Sequence, residues 1–259
     1  MPHRRARGQA GLRRRPGRAR SGRAGGRAAA RVGLIHLLAR PGAGLLLDLD
    51  GTLLDSEPVH RGAFRDYFSA RGWTVSDEVI RQFAGRRAQE VFPVVAGPWA
   101  GEDPESLTAA VLDVLRRSGR RPVPVAGAVR LLAACARAEL PVAIVTSARR
   151  EWAAAALELL GAAVPMVTAE DCARGKPDPE PFRRGADLLG LPPGGLVAAE
   201  DSPAGIASGR HAGIGHVLGV TTSADAGALR RAGAHETAPD LTALALAVEA
   251  LMVRDGSGA

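Results

Sequence analysis

Cysteine, aromatic residues and lysine are all scarce in this sequence. Its 259 residues include two cysteines, Cys135 and Cys172, and only 3% of the residues are aromatic. The two cysteines have neither a CxxC arrangement nor another spacing that is typical of a metal site. We therefore expect no disulfide framework and no cysteine-bound metal, and we expect both thiols to be buried or half-buried.

Long hydrophobic runs are also missing. No stretch of eighteen or more apolar residues occurs, and the N-terminus has no apolar segment followed by a small-residue cleavage site. We therefore expect neither a membrane span nor a secretory signal, and we place the protein in the cytoplasm. The hydrophobic content of 46% is sufficient for one large domain and one smaller domain, each with its own core.

Acidic residues are absent from the first 40 positions, which contain twelve arginines. The remainder has 22 basic and 27 acidic residues, so the net charge of +7 belongs to this tail. Its composition predicts a disordered extension over residues 1–43. A hypothesis of another functional class is that the tail binds nucleic acid or an anionic surface. The tail has no aromatic residue on which bases could stack, which argues against that hypothesis.

Lysine is nearly excluded from the chain, since 33 of its 34 basic residues are arginine and Lys176 is the exception. An ammonium is a compact point charge, whereas a guanidinium is planar and larger. A single retained lysine therefore indicates a site that arginine cannot fill.

The order of apolar segments predicts a doubly wound parallel α/β sheet with a helical insert. Leu45-Leu46-Leu47 has the pattern of a buried strand, and helical periodicity then extends from about Val59 to Leu115. Beyond the insert, strands and helices alternate, as is typical of a parallel sheet. The predicted elements are helix Ala128–Glu139, strand Pro141–Val145, helix Glu151–Leu160, strand Met166–Val167, helix Pro179–Leu189, strand Leu196–Ala199, helix Ala204–His211 and strand His216–Val220.

These segments define a domain organisation. We expect the tail at 1–43, a catalytic core at 44–58 and 122–250, a helical cap at 59–121, and a flexible C-terminus at 251–259.

Polar residues occur at or just beyond the ends of the predicted strands and in one loop. They are Asp48, Asp50, Thr146, Lys176, Glu200 and Asp201. In a parallel α/β sheet such residues meet at the carboxyl edge. The carboxylates repel one another, and an all-oxygen set suits Mg²⁺. The lysine and the hydroxyl then remain for an anion, so we predict a phosphoryl-transfer site.

Four motifs in this order resemble the haloacid dehalogenase-like (HAD) hydrolase superfamily, and specifically its members with a helical cap after the first strand. The motifs are Asp48-Leu49-Asp50-Gly51-Thr52, Val145-Thr146-Ser147, Gly175-Lys176-Pro177-Asp178-Pro179 and Glu200-Asp201-Ser202-Pro203-Ala204-Gly205. Any one of them alone is a weak signal, but the ordered set is specific and covers about residues 44–245.

The resemblance implies a role for each residue. Asp48 would be the nucleophile that becomes an aspartyl-phosphate, and Asp50 would be the acid/base group. Mg²⁺ would be held by Asp48, the backbone carbonyl of Asp50 and Asp201, with Glu200 as a further ligand or an outer partner. Thr146 and the Ser147 amide would bind the phosphoryl group, and Lys176 would bridge it to the nucleophile.

Two activities of this family remain open. One is a phosphatase of small sugar or polyol phosphates, and the other is a β-phosphoglucomutase-like isomerase, which would share every core residue. His60 matches a histidine near the cap hinge of mutase-like members, and Arg86 or Arg87 could hold the distal part of a substrate. We favour the phosphatase. A dehalogenase has no need of Asp50, and a phosphonate hydrolase needs a second lysine.

The expected partner is a small phosphorylated metabolite, and a monomer is the default. A binding module that has lost catalysis is the third class of hypothesis, but such a chain should lack one of the four residues Asp48, Asp50, Lys176 and Asp201, and all four are present.

Overall fold

A six-stranded parallel sheet forms the centre of the protein. A computed structural model describes residues 33–255. The strands in this part of the chain are β1 (Gly44–Leu47), β2 (Leu54–Asp55), β3 (Val123–Pro124), β4 (Val142–Val145), β5 (Met166–Val167), β6 (Leu196–Glu200), β7 (His216–Val220) and β8 (Glu236–Ala238). The sheet has the order β5-β4-β1-β6-β7-β8, and β2 and β3 form a separate antiparallel pair.

Helices lie on both faces of this sheet and in one insert. The α-helices are α1 (33–38), α2 (Glu57–Ala70), α3 (Asp77–Ile80), α4 (Ala88–Val91), α5 (Pro104–Arg117), α6 (Ala128–Arg137), α7 (Arg150–Leu159), α8 (Glu180–Leu189), α9 (Pro203–His211), α10 (Ala226–Arg231) and α11 (Thr242–Asp255). Short 3-10 helices occur at Arg81–Phe83, Ala169–Asp171 and Pro193–Gly195.

Strand β1 is the central strand and is buried on both faces. Leu45 and Leu47 belong to one apolar cluster with α6, α7 and α11, whereas Leu46 belongs to another with α8 and α9. Successive side chains of a strand point to opposite faces, so an unbroken leucine run fits a strand covered by helices on both sides. The predicted doubly wound sheet is confirmed.

The insert between β2 and β3 has a hydrophobic cluster of its own. Helices α2 to α5 pack most of the aromatic residues of the chain together, and Trp99 stacks on Phe68 with ring centroids 5.1 Å apart. This cluster contains Phe64, Phe68, Phe83, Phe92 and Trp99. The insert therefore has an apolar core separate from the two clusters on the sheet.

The two ends of the chain differ from the prediction. Residues 33–38, which we assigned to a disordered extension over 1–43, form α1, because Leu34 and Leu38 lie one turn apart and are both buried against the core. The flexible C-terminus predicted at 251–259 is helical as far as Asp255. Residues 1–32 and 256–259 lie outside the described residues.

The boundaries of most strands and helices lie close to those predicted from the sequence. The predicted elements of the sheet and its helices agree with the structure to within two residues at each end, but β8, α10, α11 and the β2–β3 pair were missed. Cys135 and Cys172 are free and buried, as expected. Among the described residues, no helix is both long and apolar enough to cross a membrane.

Gly127 lies where the first turns of α6 and α11 meet. Its φ is +87°, and a Cβ atom there would lie 2.5 Å from the backbone nitrogen of Thr242. The backbone of α11 therefore comes too close for any side chain at this position.

Gly127→Ala should destabilise the protein by about 2–4 kcal/mol, because left-handed strain adds to an overlap with backbone atoms. Gly72→Ala is the matched control, since Gly72 also has a positive φ of +68° but has no atom within 4 Å of the added Cβ. That change should cost about 1 kcal/mol. Urea unfolding measures both values, and equal losses would contradict the argument.

Candidate active site

The predicted site residues come together at the carboxyl edge of the sheet. Asp48 follows β1 directly, and its amide donates to the carbonyl of Ala199 in β6 at 3.0 Å. Strand β1 lies between β4 and β6, so Thr146 at the end of β4 and Glu200 at the end of β6 flank Asp48. This is the place at which a parallel sheet positions functional groups.

Lys176 is fully buried at the centre of this group. Its Nζ donates to Asp48 Oδ1 at 2.6 Å, to Glu200 Oε1 at 2.6 Å and to the carbonyl of Val145 at 2.8 Å. Three acceptors match the three hydrogens of an ammonium. Burial lowers the pKa of Lys176, but Asp48 and Glu200 outweigh that effect and raise it. The lysine is therefore a fixed positive charge between two carboxylates.

Glu200 is completely buried, and both of its oxygens are engaged. Oε1 accepts from Lys176, while Oε2 accepts from the amides of Asp201 and Ser202 and from the Ser202 hydroxyl, each at 3.0 Å. The predicted role of Glu200 as a metal ligand therefore competes with four hydrogen bonds. The geometry favours the other predicted role, that of an outer partner that holds Lys176 and the loop after β6.

Three carboxylates of this edge, those of Asp48, Glu200 and Asp201, lie within 4.8 Å of one another. Burial raises the pKa of Asp48 from 3.8 to about 7, with Glu200 adding to the rise and Lys176 opposing it. Burial, Asp48 and Glu200 raise the pKa of Asp201 as well. One ammonium does not neutralise three carboxylates, so the cluster has an excess of negative charge.

The cluster has the donor set of a magnesium site. Asp48 Oδ2 is buried and has no hydrogen-bond partner among the described residues. Gly51, with a φ of +83°, passes so close to Asp201 that a Cβ atom there would lie 1.9 Å from Asp201 Oδ2. A buried oxygen without a partner, a second carboxylate and a close backbone loop fit a hard divalent cation with oxygen ligands.

Asp50 faces away from this cluster, towards the insert. Its Oδ1 accepts hydrogen bonds from Ser56 Oγ at 2.6 Å, from His60 Nε2 at 3.0 Å and from Trp152 Nε1 at 2.9 Å. The side chain of Asp50 therefore does not join Asp48, Glu200 and Asp201, which agrees with the prediction that Asp50 would contribute only its backbone carbonyl to a metal.

The charge of His60 controls the acidity of Asp50. Burial raises the pKa of Asp50, but His60, Ser56 and Trp152 together outweigh burial and lower it. Burial lowers the pKa of His60, and the charge and hydrogen bond of Asp50 reverse this and raise it. Each partner thus favours the charged form of the other.

A cavity between the insert and the sheet edge connects these groups. Its polar lining comprises Asp48, Asp50, Glu57, His60, Arg61, Thr108, Arg86, Arg87, Gln89, Thr146, Ser147 and Arg149, and its apolar wall includes Phe64, Phe83, Leu112 and Trp152. Thr146 Oγ1 accepts from the Ala148 amide at 3.0 Å, which leaves the hydroxyl hydrogen free to donate. The Nε atoms of Arg61, Arg86 and Arg87 are buried, and none of them has a hydrogen-bond partner among the described residues, although Arg61 Nε lies 3.9 Å from Glu57 Oε2.

Arg87, which we predicted as a substrate ligand together with Arg86, belongs to a contact between the insert and the core. Its Nη1 pairs with Glu90 at 3.1 Å, and its Nη2 donates to the carbonyl of Cys172 at 3.2 Å. Glu90 in turn accepts from the amide of Gly175 at 3.0 Å. A second contact joins the Ser147 hydroxyl to the carbonyl of Gly85 at 3.2 Å.

Four further residues at the site were missed in the sequence: Ser56, Arg61, Glu90 and Trp152. Both Ser56 and Arg61 follow the first motif in the chain, and the spacing of four residues between Ser56 and His60 could have indicated Ser56. Glu90 and Trp152 reach the site from helices that are remote in sequence from the groups they contact. Only the packing of the insert on the core reveals their position.

Comparisons with known proteins agree with this arrangement. A sequence model of the haloacid dehalogenase-like hydrolases matches residues 43–213. The validoxylamine A 7'-phosphate phosphatase of Streptomyces hygroscopicus subsp. limoneus is 38% identical over 191 residues, which cover 72% of this chain and 89% of that protein. Hexitol phosphatase A of Escherichia coli (strain K12) is 37% identical over 186 residues, which cover 70% and 84%.

A solved structure shows the same fold. The crystal structure of a hydrolase from Pseudomonas syringae superposes with a TM-score of 0.71 at 24% identity, covering 84% of this chain and 99% of that chain. The family match extends over the strands that bear Asp48, Thr146 and Glu200 and over the loop that bears Lys176. The resemblance predicted from the four motifs is confirmed, and the chain is an enzyme that belongs to the haloacid dehalogenase-like hydrolase family.

Proposed function

We propose that this enzyme is a magnesium-dependent phosphomonoester hydrolase of small sugar or polyol phosphates, and that it acts through an aspartyl-phosphate on Asp48. The observation that supports this most directly is Asp48 itself. One of its oxygens accepts a hydrogen bond from Lys176, and the other is buried without a hydrogen-bond partner among the described residues. The carboxylate also lies within 4.8 Å of that of Asp201. The relatives are named for a phosphorylated validoxylamine and for hexitols, which supports this class of substrate.

The reaction has two steps. A carboxylate oxygen of Asp48 attacks phosphorus, the bond from phosphorus to the substrate oxygen breaks, and the leaving oxygen takes a proton from Asp50. Asp50 reacts in its protonated form, which its lowered pKa makes the minor form before the substrate binds. Asp50 then takes a proton from water, whose oxygen attacks phosphorus and displaces the Asp48 carboxylate. The products are an alcohol and inorganic phosphate, and both aspartates return to their initial states.

The other residues of the edge stabilise the transferred group. Lys176 holds Asp48 in place and offers positive charge to the phosphoryl oxygens, and Glu200 fixes that lysine. The Thr146 hydroxyl and the Ser147 amide donate to the same group. Mg²⁺, held by Asp48, the carbonyl of Asp50 and Asp201, would supply further charge neutralisation.

Residues of the insert determine which substrates bind. Arg86 Nε has no hydrogen-bond partner among the described residues, and Arg61 Nε has only an ion pair of 3.9 Å with Glu57, so both are donors for the distal hydroxyl or anionic groups of a sugar phosphate. His60 acts on Asp50, to which it is bonded, and the apolar wall covers the carbon skeleton. Residues 59–121 form the cap and residues 44–58 and 122–250 the catalytic core, with the β2–β3 pair as the linkers between them.

Asp48→Asn should abolish phosphate release, since a neutral amide neither attacks phosphorus nor completes the metal site; we expect a loss of at least about a thousandfold. The assay uses a panel of sugar and polyol phosphates with Mg²⁺ and with chelator, and it measures both free phosphate and isomeric sugar phosphate.

Asp113→Asn is the matched control, because Asp113 pairs with Arg117 on the surface of α5, and it should leave the rate unchanged. If the protein forms an isomeric sugar phosphate and releases no free phosphate, the proposed activity changes from phosphatase to mutase. If the unaltered protein with Mg²⁺ releases no phosphate from any substrate of the panel, the proposal is contradicted.

Magnesium should stabilise the protein more strongly as pH rises. The pKa of Asp48 is raised from 3.8 to about 7 in the folded protein. Without metal, the free energy of unfolding therefore falls as pH rises from about 4 to 7, because the unfolded chain releases this proton more readily than the folded one. Mg²⁺ replaces the protons that these carboxylates otherwise bind. The increase in Tm on adding Mg²⁺ should therefore be small at about pH 5 and several degrees at about pH 8.

Differential scanning fluorimetry with Mg²⁺ or with chelator measures this increase. Asp201→Asn should remove most of the increase at high pH. An increase that is the same at both pH values would show that Mg²⁺ does not compete with protons at this cluster.

Glu90→Ala should lower kcat/KM about tenfold, because it breaks the contact of the cap with the Gly175 amide, next to Lys176 in the chain. Glu78→Ala is the matched control, since Glu78 pairs with Arg81 on the exposed side of the same insert. Steady-state kinetics and small-angle scattering with Mg²⁺ and an inert phosphate mimic measure the effect. If Glu90→Ala and Glu78→Ala have the same kcat/KM, the contact between Glu90 and the Gly175 amide has no role in cap closure.

A further inference from the structure

Trp152 joins the core to the insert at the position of Asp50. It lies in the first turn of α7, on the core side, and its half-buried ring packs against both the main core cluster and the aromatic cluster of the insert. Its edge also meets the ring of His60, with centroids 5.1 Å apart and an interplanar angle of 65°. Packing alone would be satisfied by any large apolar side chain.

The indole N–H makes a more specific contact. Trp152 Nε1 donates to Asp50 Oδ1 at 2.9 Å, which is the same oxygen that accepts from Ser56 and His60. None of the described residues donates to the other oxygen, Oδ2. The three donors come from different elements: the loop before α2, α2 itself and α7. Their convergence on a single oxygen fixes the rotation of the carboxyl group.

We infer that Trp152 is a positioning residue for the phosphoryl-transfer step, which holds Asp50 so that Oδ2 is the oxygen that gives its proton to the leaving group. This inference rests on the proposed phosphatase function. An indole N–H is a donor only and has no accessible acceptor, so Trp152 cannot take the proton from Asp50. Ser56 and His60 are able to exchange protons, whereas Trp152 is not.

This arrangement gives the two oxygens of the Asp50 carboxyl group different roles. Oδ1 is saturated with donors and stays an acceptor throughout the reaction, and Oδ2 carries the proton that leaves. The proton acceptor is the oxygen of the breaking ester bond. A carboxyl group free to rotate would present either oxygen, and a general acid loses effectiveness when its proton is misplaced.

The consequence depends on the leaving group. An alkoxide is a strong base and needs a proton as the bond to phosphorus breaks, whereas p-nitrophenolate is a weak base and leaves without one. Loss of a residue that positions the proton of Asp50 should therefore slow the cleavage of alkyl phosphates and spare p-nitrophenyl phosphate. Loss of a residue that only supports the fold should slow both equally.

The test compares Trp152→Phe, which keeps an aromatic ring and removes the N–H donor, with Trp99→Phe. Trp99 is a matched control, because its Nε1 also donates a hydrogen bond, to the carbonyls of Phe92 and Val95 inside the insert. The substrates are mannitol 1-phosphate and p-nitrophenyl phosphate with saturating Mg²⁺. The quantity measured is kcat/KM, which reports the steps up to transfer of the phosphoryl group.

Trp152→Phe should reduce kcat/KM for mannitol 1-phosphate about tenfold or more and change it less than about threefold for p-nitrophenyl phosphate. Trp99→Phe should change both by the same factor. Site-specific replacement of Trp152 by 3-benzothienylalanine, which keeps the two-ring shape and lacks the N–H, should reproduce the selective loss. It provides the same test if the phenylalanine variant does not fold.

Equal losses on the two esters in both Trp152 variants would overturn the inference and leave the phosphatase proposal intact. A selective loss in Trp99→Phe would overturn it as well, because that residue has no contact with Asp50. Absence of phosphate release from both esters by the unaltered protein would overturn the inference together with the proposed function.

Discussion

The buried ammonium of Lys176 is the interaction on which the rest of this site depends. It lies between Asp48 and Glu200 and also donates to the end of β4, so it joins three neighbouring strand ends. Removing one partner of a buried ion pair costs about 3–5 kcal/mol, because the remaining charge stays buried without compensation. The chain contains this single lysine among its 34 basic residues. An arginine would bring five donors and a planar head into a space with three acceptors.

The negative charge that remains after this pairing explains the chemistry of the edge. Burial and mutual repulsion raise the pKa values of Asp48 and Asp201, so the cluster binds either protons or a cation. In the proposed reaction, a phosphate ester that arrives at this site meets a carboxylate nucleophile only if positive charges neutralise the charge of the ester. The site is therefore built around charge compensation, and the aspartates on either side of Leu49 divide the work, with Asp48 facing the cluster and Asp50 facing the cap.

The insert makes direct contacts with the loops at the carboxyl edge of the sheet as well as covering that edge. Gly85, Arg87 and Glu90 bond to the loops that follow β4 and precede α8, and the second of these loops bears Lys176. Trp152 from the core and His60 from the insert meet at Asp50. The position of the insert and the orientation of the groups at this edge are thus physically linked, and in the proposed function substrate choice and catalysis depend on the same contacts.

The sequence by itself determined the sheet, the insert and the polar residues that meet at the carboxyl edge of the sheet. An unbroken apolar strand followed by Asp48 and Asp50 indicates its own place in a parallel sheet, because strand period and burial are local properties. The ordered motifs and the single lysine indicated the family, which the comparisons confirmed. The short strand β8 and the helix at 33–38 were missed, since a few apolar residues carry little periodic signal without their partners.

Only the tertiary structure decided which hydrogen-bond partners these groups have. The sequence placed Glu200 beside Asp201 with two possible roles, and the hydrogen bonds to both oxygens of Glu200 favour the role of holding Lys176. It placed Arg86 beside Arg87, and packing directs the Nη atoms of Arg87 to Glu90 and to the Cys172 carbonyl, whereas Arg86 Nε lies in the cavity lining with no hydrogen-bond partner among the described residues. Trp152 lies 102 positions from Asp50, so no local pattern could predict the bond between them. Hydrogen bonds across such distances are specified by packing, which a one-dimensional pattern does not contain.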